Sequence, residues 1–301
     1  MSWRKRFWSL GGHGSGIAFL LIPYLVGLIA LIVIPGLITL ALSTFEYDMI
    51  RAPRFVGVEN FVDLVTDDVF RISLRNSIVF LALAVPLRLF AVFGLALLLH
   101  SASMRGGAIY RVSVFVPVVV PEVALAIAWL WLLNPMFGPI NRLLAGLALT
   151  PVPWLTDPRA AQGAIVLMSL FTIGEAFVVA VAARRSIPRD LYDLAATEGA
   201  SSRALVRFVT LPMMMPILLV LGLRDAALTL QATFVPSLII TGGGPPPYAT
   251  TYGPSFIYQQ AFEYLRYGYS AAATTVFLAV AFVVIILQMR AVRHWRSWAS
   301  R

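Results

Sequence analysis

The sequence predicts an all-α integral membrane protein with six transmembrane helices, and three observations carry that expectation. Of 301 residues, 59% are apolar and only 12% are charged, where a soluble domain carries roughly 25% charged residues. The mean hydropathy of +0.85 leaves too little polar surface to cover soluble domains of this combined length. The apolar residues also fall into six long runs, each close to the about 20 residues that cross a hydrocarbon core of about 30 Å.

The first run, 17–42, follows Arg4, Lys5 and Arg6 and resembles a secretory signal ending at Ala41-Leu42-Ser43. It is longer than the apolar core of such a signal, about 7–15 residues, and reads as a retained helix. The others are 77–99, 112–133, 162–183, 212–240 and 271–289. They define a short N-terminus (1–16), a six-helix domain (17–290) and a short C-terminus (291–301). The connections 43–76, 134–161 and 241–270 share one side and are too short to hold an enzymatic domain. The first of them carries Phe45, Tyr47, Phe55, Phe61 and Phe70, which predicts a short helix lying at the membrane interface. No internal repeat is visible, and the paired broken helices of an inverted-repeat secondary transporter are not evident.

Charge placement sets the orientation. The termini and the second and fourth connections hold 14 of the 23 Lys+Arg against three acids, a net of +11, while the opposite side nets −1. By the positive-inside rule both termini are cytoplasmic in a multi-pass protein of the cell membrane. The formal charge of +9 is therefore an address on the membrane and gives no reason to expect nucleic acid.

Absences narrow the chemistry. With no Cys there is no disulfide, thiolate zinc site, iron–sulfur cluster or Cys nucleophile. The only Lys is Lys5, so no phosphate-binding G-x-x-x-x-G-K-[ST] loop can form. His13, His100 and His294 are far apart and fit no ligand spacing. No catalytic residue, metal site or cofactor is expected within this chain.

The connection 184–211 is polar, yet patterned as ordered structure. Pro188 suits a first helical turn, Asp190 complements the helix dipole, and Leu191, Leu194 and Ala195 repeat at i, i+3, i+4. Gly199 can take the left-handed conformation that ends this helix, and Ser201 or Ser202 can cap the next. On physical grounds alone, a docking element and a capped helix resting on lipid both remain open.

At these residues the chain resembles the membrane-spanning subunits of binding-protein-dependent ABC importers, in the sugar-permease branch related to the maltose transporter. That family carries a cytoplasmic Glu-Ala-Ala-x-x-x-Gly loop. Here Ile187-Pro188, Tyr192, Asp193 for the Glu, Leu194 and Ala195 for the Ala pair, Glu198, Gly199-Ala200, Phe208 and Leu211-Pro212 match it, with Leu194 a departure. Ile34-Pro35 to Leu42-Ser43, the stretch Phe55 to Phe61, and Thr241-Gly242-Gly243-Gly244-Pro245 with Ala249-Thr250, Tyr258, Ala261-Phe262 and Gly268-Tyr269 extend the resemblance over nearly the whole chain.

The resemblance implies a coupling helix between helices four and five. Tyr192, Asp193, Leu194 and Ala195 would face a groove of an ATPase subunit, with Glu198, Gly199 and Ala200 completing the turn, and Arg203 and Arg207 facing acidic groups or phospholipid. It also implies the partners: a homologous second permease, two ATPase subunits that bind ATP and Mg, an extracytoplasmic solute-binding protein, and membrane lipid. A non-sugar solute, such as a glycerol phosphodiester or an amino acid, is an alternative. An ion-coupled secondary transporter is a more distant one.

Five charges fall inside the spans: Arg88, Glu122, Glu175, Arg224 and Asp225. In the fifth span Arg224 and Asp225 together cost roughly 6 kcal/mol to insert, about what its apolar residues return. The two point about 100° apart and so need partners on other helices. Glu175 is the expected partner of Arg224, and Glu122 that of Arg88. Such charges either lock the bundle or line a path. The resemblance also implies path contacts from Thr229, Gln231 and Thr233, with Thr229 and Thr233 one turn apart on one face, although Val235 and Pro236 stand where many sugar permeases carry Asp or Asn. Trp129 and Trp131 read as lipid-interface anchors. Loop 242–247 reads either as a contact for a docked binding protein or as a solvent-exposed turn.

Overall fold

A computed structural model describes residues 14–99, 107–231, 233–243 and 248–299. Among the described residues the regular structure is helical apart from one two-stranded hairpin. Among the described residues, four helical segments are long and apolar enough to cross a membrane uninterrupted: Leu21–Leu42, Asp68–Leu99, Ser202–Thr229 and Tyr267–Arg290. Two helix pairs pass only when joined across a bend, Ile109–Val119 with Glu122–Leu132 at 104° and Pro158–Phe171 with Gly174–Arg185 at 49°. The expected third and fourth spans are therefore broken helices.

The contacts divide the chain into two units. One comprises residues 1–64 and 260–276. It contains helix α1 (Gly14–Leu28), a π-helical turn, and α2 (Ile34–Leu42), whose Leu21–Leu42 window has no buried residue. Strands β1 (Phe45–Glu46) and β2 (Arg54–Phe55) follow, pairing Phe45 with Phe55 and Glu46 with Arg54. Helix α3 (Glu59–Thr66) is a short helix within the connection where one was expected. Its Asn60 amide donates to the carbonyls of Ser43 and Phe45, each at 2.9 Å. The amide of Tyr267 donates to Tyr47 at 2.9 Å, and a Cβ on Gly268 would lie 1.8 Å from the Phe45 carbonyl oxygen. Only glycine permits that approach.

The second unit, 65–259 with 277–301, holds the body of the bundle. Helix α4 (Asp68–Leu99) begins nine residues before the apolar run because Asp67 caps it, accepting from the amides of Val69 and Phe70. Helices α5 (Gly107–Val119) and α6 (Glu122–Leu132) make the bent pair that stands where a third span was expected. Pro121 sits at ψ 136° between them, where a proline lacking its N–H ends one helix and opens the next. Helix α7 (Pro139–Gly146) lies in the connection to α8 (Pro158–Phe171) and α9 (Gly174–Arg185), the broken fourth span. A Cβ on Gly174 would lie 2.8 Å from the Phe115 Cα and the Val114 oxygen, so glycine brings α9 backbone against α5 backbone.

After the connection 186–201, α12 (Leu211–Thr229) completes the uninterrupted candidate span Ser202–Thr229, and α13 (Phe234–Thr241) follows it. Helix α14 (Gly253–Tyr258) precedes the long α15 (Tyr267–Ala299). One core packs Val92, Ala96, Phe177, Ala180, Met214 and Leu218 of α4, α9 and α12. Another packs Leu125, Ala126, Trp129, Ala164, Met168 and Ile240 of α6, α8 and α13. Trp129, expected as a lipid anchor, is 7% exposed and packs edge-on against Phe171, with ring centroids 5.8 Å apart. Its face of α6 is the one that meets α8 and α13. Trp131, two residues on, points away and is exposed.

Candidate functional site

Two regions carry polar groups that a lipid-embedded bundle does not need for packing. The first is the connection after α9. Helix α10 (Arg189–Thr197) starts behind Pro188 with Asp190 in its first turn. Gly199, at φ +78°, ends it. The amide of Ala200 donates to Ala195 and that of Gly199 to Ala196, each at 3.0 Å, closing a Schellman motif. Ser201, one of the two expected caps, then accepts from Ala204 N–H at 3.3 Å and opens α11 (Ser202–Leu205), followed by a π-helical turn into α12. The helix–turn–helix anticipated from the sequence is therefore formed.

Its faces divide unequally. The Tyr192 hydroxyl bonds the Thr210 hydroxyl at 2.9 Å, the Arg184 guanidinium stacks over its ring at 4.6 Å, and the ring packs on the core between α4, α9 and α12. Tyr192, expected among the outward residues, thus turns inward and fastens the loop to the bundle. Ala195 and Ala200 are half-buried, whereas Asp193, Leu194, Glu198 and Gly199 are exposed. Leu194 is 66% exposed and Leu191 38%, two leucines open to the surface beside Arg189, Asp190 and Asp193 of the same helix. Arg203 and Arg207 are exposed beside it.

The second region is the set of mid-span charges. Arg224 Nη2 lies 2.5 Å from Glu175 Oε2, pairing α12 with α9 as expected. Arg88 does not pair with Glu122. Its Nε lies 3.1 Å from Asp225 Oδ2, and its Nη2 donates to the Thr229 hydroxyl. Asp225 and Thr229 are one turn apart on α12, on the side that packs against α4, so they reach Arg88 together. Thr229 is consequently buried and occupied. Helix α12 ends at Thr229 and α13 starts at Phe234, so Thr229 and Thr233 do not share a continuous helix face. Thr233 is buried and Gln231 is exposed.

Glu122 opens α6 directly after the break in the third span, and Glu175 lies in the first turn of α9 after the break in the fourth. Each carboxylate is thus set where the helix dipole favours it. Hydropathy had located these residues but not the breaks beside them. A cavity of about 330 Å³ opens here, lined by Arg88, Glu122, Ser169, Thr172, Phe80 and Pro236 among others.

On the opposite connection, groups not singled out from sequence hold the segment between α13 and α14. The Asn76 amide donates to the carbonyls of Tyr248 (3.0 Å) and Thr251 (3.1 Å), and Gln162 donates to Ala249 at 2.8 Å. The Ser237 hydroxyl donates to the Thr250 carbonyl at 2.5 Å. Asn76 and Gln162 mark the ends of apolar runs, where a buried amide is the one available signal. Gly242 is left-handed at φ +60°, and 244–247, part of the expected outer contact loop, lie outside the described residues.

Comparison with known proteins places this geometry. The chain matches the family model for the binding-protein-dependent transport system inner membrane component over residues 93–297. It is 30% identical over 295 residues to a probable ABC transporter permease protein, YesP, of Bacillus subtilis, covering 95% of this chain and 93% of that one. It is 29% identical to the lactose transport system permease LacF of Rhizobium radiobacter (80% and 82% covered). It is 28% identical to the trehalose/maltose transport system permease MalF of Thermococcus litoralis (90% and 92%). Its fold is similar to that of a chain of a bacterial ABC transporter involved in the import of the acidic polysaccharide alginate, with a TM-score of 0.80 at 22% identity over 92% of this chain and 95% of that one. A model matched over more than half of its length, and a relative at 30% identity along nearly all of it, establish that the chain belongs to the inner membrane components of binding-protein-dependent transport systems, the permease subunits of ABC importers.

Proposed function

We propose that this chain and a second, homologous permease enclose an alternating-access path for a sugar or related polar solute, driven by ATP hydrolysis in two separate ATPase subunits. The observation that carries the sugar reading is the naming of relatives that span most of the chain: lactose, galactooligosaccharides and trehalose/maltose. An extracytoplasmic binding protein delivers the solute. A structural neighbour captured with an alginate pentasaccharide-bound periplasmic protein supports that kind of partner.

The exposed face of α10, with Asp193, Leu194 and Glu198, seats in a groove of the ATPase subunit, which supplies the ATP and Mg site. An exposed leucine on a polar helix fits a buried contact better than it fits water. Tyr192 and Gly199 hold that face at a fixed angle to α9 and α12, so closure of the ATPase pair moves the spans and switches access. The path runs along Glu122, Glu175, Arg224, Asp225 and the break at Thr229, Gln231 and Thr233, since irregular backbone is tolerated in a bilayer only where protein buries it or water reaches it.

The test is uptake of labelled lactose and trehalose by cells expressing the chain with its partner subunits, or by proteoliposomes of the purified complex. Vanadate abolishes uptake and a proton ionophore does not. Uptake that collapses with the ionophore and survives vanadate replaces this reading with ion-coupled transport.

A further inference from the structure

We infer that a groove between α4 and α12 is a binding site for one anionic phospholipid, its acyl chain in the groove and its phosphate on Arg207. The site goes beyond the transport reading and is independent of the solute carried. It takes from the charge distribution only that the Arg207 end of this segment faces the cytoplasm. The groove has a volume of about 420 Å³, and Gln288 of α15 is the one polar residue in its wall. Its lining runs from Val85 to Phe93 on α4 and from Leu211 to Leu223 on α12. At 1.5 Å per residue these stretches are about 12 and 18 Å long, the depth of one leaflet of a hydrocarbon core of about 30 Å. A single acyl chain reaches that far, whereas a spanning helix runs on through the other leaflet.

Apolar walls accept any hydrocarbon, and the charge at one end selects the lipid. On α12 the wall residues Leu211, Met215, Leu219 and Leu223 repeat every four positions, and Arg207 is the next member of that row toward the cytoplasm. Arg207 is exposed and has no ion pair among the described residues. Its guanidinium lies 4 positions before the wall begins and 5.6 Å over the ring of Phe208, which is 71% exposed. A charged group and an apolar one thus meet at a single level, as they do at a headgroup boundary. On α15, Arg290 is exposed two residues beyond Gln288 and adds positive charge at the same end. Basic residues at the cytoplasmic mouth of a groove between spans suit anionic headgroups.

Gln288 points to a lipid as well, because its Oε1 is buried without a hydrogen-bond partner among the described residues. An apolar helix face laid over the groove leaves that acceptor orphaned, whereas a glycerol hydroxyl of phosphatidylglycerol can donate to it. The occupied site fastens the connection that carries α10 to the bilayer through Arg207.

The test uses the purified complex in phosphatidylcholine nanodiscs. A trace of phosphatidylglycerol, or in a parallel sample phosphatidylcholine with the same chains, carries a diazirine on one acyl chain. After irradiation, adducts on this chain are mapped by mass spectrometry and normalised to those elsewhere on the complex. Adducts within 85–93 and 211–223 are expected to favour phosphatidylglycerol about fivefold or more, the worth of roughly one basic side chain at an anionic surface. Arg207→Gln removes most of that preference and Arg207→Lys keeps it. Leu219→Trp, which fills the groove, removes the groove adducts of both probes, with assembly checked by co-purification; the Arg207 variants stand independently of it. Equal normalised yields (annular lipid only), a preference unmoved by Arg207→Gln, or no groove adducts because the second permease or the ATPase covers the site overturns the proposal.

Discussion

Replacement of Gly199 should separate the proposed coupling role of its turn from folding. Gly199 adopts φ +78°, and a Cβ built there meets nothing within 4 Å, so a substitution carries only the backbone cost. For an ordinary residue that cost is about 1–2 kcal/mol, and for a β-branched residue it lies at the upper end or beyond. Against a folding stability of about 5–15 kcal/mol such a change leaves the bundle assembled. Locally it is enough to shift the turn by a factor of roughly 5–30 away from the geometry that closes the Schellman motif at Ala195 and Ala196. The series Gly199→Asn, Gly199→Ala, Gly199→Val should therefore lower the ratio of solute transported to ATP hydrolysed in that order, since Asn tolerates the left-handed region best. The assay is paired uptake and phosphate release in proteoliposomes, with membrane assembly checked by co-purification. A ratio unchanged in Gly199→Val, or Asn as damaging as Val, refutes the reasoning.

Three further outcomes are expected. Asp225→Asn strands the Arg88 guanidinium and should destabilise the complex by about 3 kcal/mol, read as a lowered midpoint of thermal unfolding in detergent; the double variant with Arg88→Met should recover most of that loss. Gly174→Ala places a methyl group 2.8 Å from α5 backbone and should cost about 1–3 kcal/mol by overpacking, seen as reduced yield and midpoint, whereas the same change at Gly163, where nothing lies within 4 Å, should be neutral. Asn76→Ala leaves the Tyr248 and Thr251 carbonyls without their donor and should cost about 1–3 kcal/mol, visible as faster proteolysis of the connection between α13 and α14 at unchanged α10.

Residues that act through local rules were legible in the sequence. Asp190, Gly199 and Ser201 each satisfy a cap or turn requirement within a few positions, and the structure places all three in those roles, whereas Pro188, expected in the first turn, stands one residue earlier at the N-cap of α10. The Arg224–Glu175 pair was legible because adjacent charges on α12 must diverge and Glu175 lay at matching depth. What failed depended on how helices face each other. Arg88 had candidate acids on two helices, and only the packing of α4 on α12 selects Asp225. Trp129 suits an interface and a core equally until α8 and α13 cover it. The breaks were hidden because an apolar window averages across Pro121 and Gly174 without registering a bend.

The paired mid-span charges also bear on the order in which the chain is made. Arg88 and Glu175 lie in the second and fourth spans, and Asp225 and Arg224, which they neutralise, come later, in a fifth span whose own hydrophobicity barely covers their insertion. Each counter-ion is therefore already synthesised when the costly helix emerges. A nascent chain halted before residue 211 would hold two bilayer charges awaiting partners, and the emerging fifth helix would enter the membrane by completing them.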